Sequence, residues 1–117
     1  MREQIKVFKA LSDGSRLRIL KLLEKKSLCV CEITSILQFA PSTVSKHLSI
    51  LRDVNLVIDE KSGKWVNYRL NPEIKQKYVK VLLQNALRWL ENDPVILKDR
   101  SFLKKIDRFE ICSSNSD

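Results

Sequence analysis

Three cysteines and one histidine are the only thiol and imidazole groups in the 117-residue chain. Cys29 and Cys31 stand two residues apart in 28-LCVCEIT-34, where an amphipathic segment begins, and Cys112 lies close to a polar C-terminal stretch. Thiolates bind soft ions, but cysteines also pack as small buried hydrophobes, and the residues alone leave both readings open. The lone His47 rules out a site built mainly from imidazole, and the two glycines, Gly14 and Gly63, make no phosphate-cradling loop. No nucleophilic triad can be assembled around His47. The chain does not read as an enzyme.

Lysine and arginine number 22 against 14 acidic residues, a net charge of +8 with a pI near 9.6. An excess of that sign on one small domain points to a polyanionic partner, most often nucleic acid. Hydrophobic residues at 44% and charged residues at 31% place the chain among globular proteins, with length for one domain. Apolar runs such as 17-LRIL-20 and 81-VLL-83 are short, and MREQIKVFKA lacks a signal-peptide core. No membrane partner is expected, and the expected location is cytoplasmic. A reducing cytoplasm argues for thiols rather than a structural disulfide.

The elements that must position these residues follow from periodicity. Residues 3–11 place Ile5, Phe8 and Leu11 on one helical face. Ser12 or Asp13 then caps a second helix, 16–26, whose stripe is Leu17, Leu20 and Leu23 with Ile19 and Leu22 beside it. A third helix begins near Cys29 or Cys31 and buries Ile33, Ile36 and Leu37. After 38-QFAP-41, with Pro41 in the first turn, a fourth covers 42–55. Two helices joined by so short a turn suggest a helix-turn-helix. Ser62-Gly63 between 56-LVIDEK-61 and 64-KWVNYRL-70 signals a hairpin, with Val66, Tyr68 and Leu70 on one face.

The expected fold is therefore mainly α with a β-hairpin wing, a winged helix-turn-helix. Pro72 opens a helix over 73–92 carrying Ile74, Tyr78, Val81, Leu82, Ala86, Trp89 and Leu90, widened by Val79, Leu83 and Leu87. That apolar surplus predicts a homodimer through the terminal helices. Residues 95–111 predict one more helix, with Ile96, Phe102, Leu103, Ile106 and Phe109 at helical intervals. Residues 1–112 make the single DNA-binding and dimerisation domain, and 113–117 a mobile polar tail.

On the fourth helix Val44, Leu48 and Leu51 share the inward face. Ser42, Ser45, Lys46 and Ser49 lie opposite, flanked by Thr43 and Arg52. Small hydroxyls beside a cation let a helix sit close in the major groove of double-stranded DNA. His47 projects roughly 60° from the core direction, where it either touches a phosphate from the flank or caps a backbone group at the core's edge. Lys61, Lys64 and Arg69 on the hairpin are expected to contact phosphates or the minor groove.

The segments 9-KALSDGSRLRILKLL-23, 28-LCVCEIT-34, 41-PSTVSKHLSILRDVNLV-57 and 64-KWVNYRLN-71 together resemble the ArsR/SmtB family of metal-sensing winged-helix repressors, over about residues 5–92. The resemblance implies a homodimer that binds operator DNA when ligand-free and releases it when a toxic metal ion or metalloid binds. Within that family the LCVCE motif looks like the arsenic- and antimony-sensing type, implying As(III) or Sb(III) as inducer and Cys29, Cys31 and Cys112 as ligands. The pattern often carries a third cysteine where this chain has Thr34, so Cys112 is the replacement; Gly14 stands where the family usually has proline. Residues 73–92 contain no histidine, so the zinc- and nickel-sensing site of other members is absent.

Helical positions i and i+2 point about 200° apart, so Cys29 and Cys31 can share an ion only if the helix start is extended or unwinds. Ligand binding is then expected to distort the helix before the recognition helix and shift the reading head. A 100-fold loss of DNA affinity corresponds to roughly 2.7 kcal/mol of coupling. The alternatives are a Cd(II), Pb(II) or Zn(II) sensor using the same thiols, a redox switch pairing Cys112 with Cys29 or Cys31, and a constitutive DNA-binding protein with inert cysteines.

Overall fold

The computed structural model describes residues 1–107 and 111–112. Helix α1 (Arg2–Leu11) leads into α2 (Gly14–Lys25), whose first turn is capped by Asp13 accepting from the Arg16 backbone N–H at 2.9 Å. Of the two predicted caps, Asp13 fills the role. Ser12 turns back instead, its hydroxyl donating to the Phe8 carbonyl at 2.7 Å. α1 packs through Val7 and Ala10, with Leu11 of the predicted stripe half-buried against the core; Ile5 and Phe8 of that stripe are exposed in the single chain. The small Ala10 side chain lets α2 approach, and the Arg16 guanidinium then donates to the carbonyls of Ala10 (2.8 Å) and Lys9 (2.9 Å). That closes the end of α1, where carbonyls have no helical partner.

α2 is buried at five successive positions, Ile19 to Leu23. Four are the predicted apolar residues, and the fifth is Lys21, at 1% exposure. Its ammonium donates to Glu24 (2.6 Å), Glu91 (2.8 Å) and the Leu87 carbonyl (2.8 Å), using all three N–H groups. A lysine is tolerated in this core because none of its donors is left without an acceptor.

α3 (Val30–Leu37) and α4 (Pro41–Asp53) form the helix-turn-helix. The turn between them begins at Gln38, in the left-handed region at φ 60°. α4 starts with Pro41 and buries Val44, Leu48 and Leu51, as its periodicity requires. Strands β1 (Val57–Ser62) and β2 (Trp65–Leu70) pair antiparallel, with Val57 opposite Leu70 and Ser62 opposite Trp65. Gly63 at φ +61° makes the tight reversal, a conformation a side chain would disfavour. On the expected face of β2, Tyr68 and Leu70 pack half-buried against the main core, and Trp65 on the other parity is buried as well, in a separate cluster.

α5 (Lys77–Trp89) is shorter than the 73–92 helix predicted. The chain after the wing is diverted first: the Asn71 amide donates to the Asn55 carbonyl, and its side-chain oxygen accepts from the Glu73 N–H, both at 2.9 Å. This local turn competes with helix initiation at Pro72. Val79, Leu83 and Leu87 face the core, while Val81 and Trp89 remain exposed. α6 (Pro94–Leu103) is capped by Asp93, which accepts from the Val95 N–H at 2.9 Å. It ends well before residue 111, Phe102 is exposed, and Phe109 and the tail 113–117 lie outside the described residues.

α6 is fixed to α2 by Arg18, which donates to both carboxylate oxygens of Asp99 at 2.9 Å. The main core draws residues from all six helices and β1. No helix among the described residues is long and apolar enough to cross a membrane.

Candidate sensor and DNA-binding surfaces

Cys29 is the N-cap of α3, with extended backbone (φ −92°, ψ 167°), and Cys31 lies in the first helical turn. Glu32 reaches back to this N-cap, accepting from the Cys29 N–H at 3.0 Å and from its Sγ at 3.3 Å. Glu32 thus serves as a helix-start carboxylate, where the helix dipole favours negative charge, and it is 2% exposed. The extended backbone at Cys29 places the cysteine pair where the helix start is not yet regular, one of the two conditions for the pair to meet at a common centre.

Cys29, Cys112 and Trp65 form a small buried cluster of their own, with Cys31 and Ile111 at its edge. Cys31 and Cys112 are joined by a disulfide across 81 residues of sequence, with Cα atoms 5.9 Å apart. This corrects the expectation that all three cysteines stand as thiols. The Cα separation falls within the range that permits the bond without backbone movement.

Among the described residues no group of three or more His, Cys, Asp and Glu side chains is arranged to hold a metal ion. In the disulfide form two of the three sulfurs are bonded to each other, so the site does not fit an ion that needs thiolates. All three sulfurs nonetheless belong to one cluster, and two-electron reduction of the Cys31–Cys112 bond restores a three-thiol donor set. Thr34, where a further cysteine was anticipated, has a buried hydroxyl oxygen with no hydrogen-bond partner among the described residues.

The other surface is α4 with the wing. Ser42, Thr43, Ser45, Lys46 and Arg52 are exposed, while Ser49 and His47 are half-buried. His47 is turned toward α2: its Nδ1 lies 3.1 Å from a terminal guanidinium nitrogen of Arg16 and 3.9 Å from Asp13. A guanidinium cannot accept a hydrogen bond, so as a hydrogen bond this contact uses the Nδ1 lone pair as acceptor. His47 thus lies at the core's edge, where its partners are the side chains of Arg16 and Asp13 rather than a backbone group.

Lys61 and Lys64 stand exposed at the wing tip. Arg52 and Arg69 already have partners, Asp59 at 2.8 Å and Glu60 at 3.1 Å. The wing also touches the thiol segment directly. Leu28, just before Cys29, exchanges two backbone hydrogen bonds with Tyr68 (3.0 and 2.8 Å), adding a one-residue edge to β2. Trp65 and Arg16 escaped the sequence reading. The signals for them were an indole beside a hairpin turn, on the parity opposite Val66, and an arginine three residues after a helix cap.

Residues 13–59 match the family described as bacterial regulatory protein, arsR family. The chain is 37% identical to the arsenic resistance transcriptional regulator ArsR1 of Pseudomonas putida over 80% of its own length and 76% of that protein's. It is 43% identical to the arsenical resistance operon repressor of Escherichia coli K12, covering 67% of this chain and 68% of that one. Among solved structures, the homodimeric winged helix-turn-helix DNA-binding domain of Mb0332 from Mycobacterium bovis superposes with a TM-score of 0.64 at 26% identity, over 80% of this chain and 82% of that one. Helix-turn-helix, wing, basic surface and sequence likeness agree: the chain belongs to the arsR family of bacterial regulatory proteins, and it is a DNA-binding winged-helix transcriptional regulator rather than an enzyme.

Proposed function

We propose that the protein is a homodimeric repressor that binds operator DNA and releases it when Cys29, Cys31 and Cys112, as thiolates, bind As(III) or Sb(III). The observation that carries this reading is the gathering of all three sulfurs at the start of α3, beside the wing. Trivalent arsenic and antimony are soft, pyramidal centres suited to three thiolates, and the relatives described above are named for arsenic resistance. Ser42, Thr43, Ser45, Lys46 and Ser49 enter the major groove, with His47 beside them held by Arg16. Lys61 and Lys64 bind phosphate from the wing, and Arg52 and Arg69 contribute less because each carries a carboxylate. The exposed Ile5 and Phe8 of α1 and Val81 and Trp89 of α5 supply the apolar surface for pairing.

A second reading is favoured by the disulfide itself. In it, the Cys31 and Cys112 thiols give two electrons and two protons to a peroxide or a small-molecule disulfide, and the bond so formed sets DNA affinity. One experiment separates the two. Reduced protein on its upstream DNA is titrated with arsenite, antimonite, cadmium and zinc, and separately with oxidant, following fluorescence anisotropy. Wild type is compared with Cys29→Ser, Cys31→Ser and Cys112→Ser. Release by arsenite that fails in Cys29→Ser and Cys31→Ser supports metalloid sensing. Release by cadmium alone moves the protein to the other ion class. Release only by oxidant, reversed by dithiothreitol and indifferent to Cys29→Ser, supports the redox switch. Absence of release under every condition refutes both.

A further inference from the structure

The wing and the thiol cluster are not separate parts of the molecule. Trp65, the first residue of β2, is 8% exposed and packs with Cys29 and Cys112, each fully buried. The preceding residue, Lys64, is exposed, and its ammonium lies 4.9 Å from the centroid of the Trp65 ring. Three residues along the same strand, Tyr68 is tied to Leu28 through two backbone hydrogen bonds. The strand that follows the wing-tip cation is thus held to the cysteine segment at two points. By contrast, α4 is seated through Val44, Leu48 and Leu51, which belong to the main core and not to the thiol cluster.

We infer that Trp65 is a positioning residue that transmits the state of the Cys29–Cys31–Cys112 cluster to Lys64, so that control acts on DNA first through the wing. This rests on the reading that the cluster is the sensing site. The indole is large, rigid and packed in one cluster with Cys29 and Cys112, and a protein interior is too dense to absorb a change in sulfur geometry beside it without movement. Making or breaking the Cys31–Cys112 bond, or drawing three thiolates around one ion, alters the volume and separation of the atoms under the ring. The ring shifts, and Lys64, the adjacent residue with its ammonium over the face of that ring, shifts with it. A cation so placed is held by the ring's electrostatic field, and its interaction with phosphate is the kind of term that sets affinity rather than sequence choice. On this proposal the route through β2 precedes the one anticipated through α3 and α4, helices that also pack on each other in the main core.

The test compares wild type, Trp65→Leu, Trp65→Phe and Lys64→Gln, each as the full chain. The quantity read is the ratio of operator affinities between reduced protein and protein treated with arsenite or oxidant, and bound ligand or disulfide is counted independently by thiol titration. If wild type changes affinity by roughly 100-fold, as a coupling within the usual range gives, Trp65→Leu is expected to respond less than about 10-fold while its thiols still react in full. Trp65→Phe, which keeps an aromatic ring, is expected to fall between, and it carries the test should the leucine variant fold poorly. The slope of log affinity against log salt is expected to fall between the two thiol states by about 0.9 for each phosphate the protein no longer neutralises, and Lys64→Gln should abolish that difference. In a Trp89→Phe background Trp65 is the single tryptophan, since the chain has two, and its emission is expected to change with thiol state. A full response in both Trp65 variants, with thiols reacting as in wild type, overturns the inference and leaves the sensing reading intact. No affinity change in wild type under any thiol state defeats the sensing reading and the inference with it.

Discussion

The Arg18–Asp99 pair offers the sharpest check on how α6 is held, because its two members are unequally buried. Arg18 donates two hydrogen bonds of 2.9 Å to Asp99 and lies 5.5 Å over the Phe39 ring. The arginine side chain is 27% exposed and the aspartate 4%. The Asp99 hydrogen bond raises the Arg18 pKa above its ordinary value, so the guanidinium is charged at every accessible pH. Arg18→Met keeps an unbranched stem against Phe39 but strands a carboxylate that water reaches poorly. Breaking a buried pair this way costs about 3–5 kcal/mol, and the rim position of Arg18 argues for the lower end, about 3. Asp99→Ala strands a guanidinium that is already partly in water, so the loss is about that of one charge-assisted hydrogen bond, roughly 1.5 kcal/mol. Arginine removal should therefore cost about twice as much as aspartate removal. The double variant should lie closer to Asp99→Ala than to the sum, since neither charge is left behind. Urea unfolding followed by circular dichroism, at one protein concentration because any self-association would shift apparent stability, measures all four proteins. Equal costs, or a larger cost for Asp99→Ala, would refute the argument from unequal burial.

Three further outcomes are expected. Arg100 first and Lys21 second hold the Glu91 carboxyl at about 2 against an ordinary 4.5; because the folded value is the lower, its contribution is complete above pH 4.5 and is lost as pH falls toward about 2, so the acid limb of stability should be shallower in Glu91→Gln. Breaking the Cys31–Cys112 bond, by reductant or by Cys31→Ser, frees a closed loop with an 81-residue span and should lower stability by up to about 4.5 kcal/mol in the chain-entropy limit; a midpoint unaffected by reductant would contradict this. Lys64→Ala should reduce the salt slope of DNA binding by about 0.9 per phosphate neutralised, whereas Arg52→Ala should change it less because Asp59 already neutralises that arginine; equal effects would argue against the assignment of roles on this face.

Much of this protein was determined by sequence alone, and the reason is that its signals are local. Pro41 at the head of α4, the three-residue spacing of Leu48 and Leu51 with Val44 one turn before, the Ser62-Gly63 reversal and the capping carboxylate Glu32 all act within a turn or two of chain. They specify the helix-turn-helix and wing without help from distant residues, and the basic surplus points to a polyanion; the thiol chemistry of LCVCE came only from its resemblance to a known family, because two cysteines by themselves also fit core packing. What the sequence could not decide was which face of an amphipathic helix turns inward when apolar residues nearly surround it. On α1 and α5 the core took Val7, Ala10, Val79, Leu83 and Leu87, leaving Ile5, Phe8, Val81 and Trp89 outside.

Nor could local pattern place partners that lie far apart along the chain. Lys21 is acceptable in the core only because Glu91 and the Leu87 carbonyl arrive from the far end of the chain, and His47 is oriented only because Arg16 arrives from α2. Cys112 meets Cys31 across 81 residues, and Trp65 meets Cys29 through the docking of the wing on the α3 start. Residue type and spacing set the elements, since hydrogen bonding and periodicity are short-ranged. Only the tertiary packing decided which sulfurs, charges and rings would touch, because that depends on how the finished elements fill a common volume.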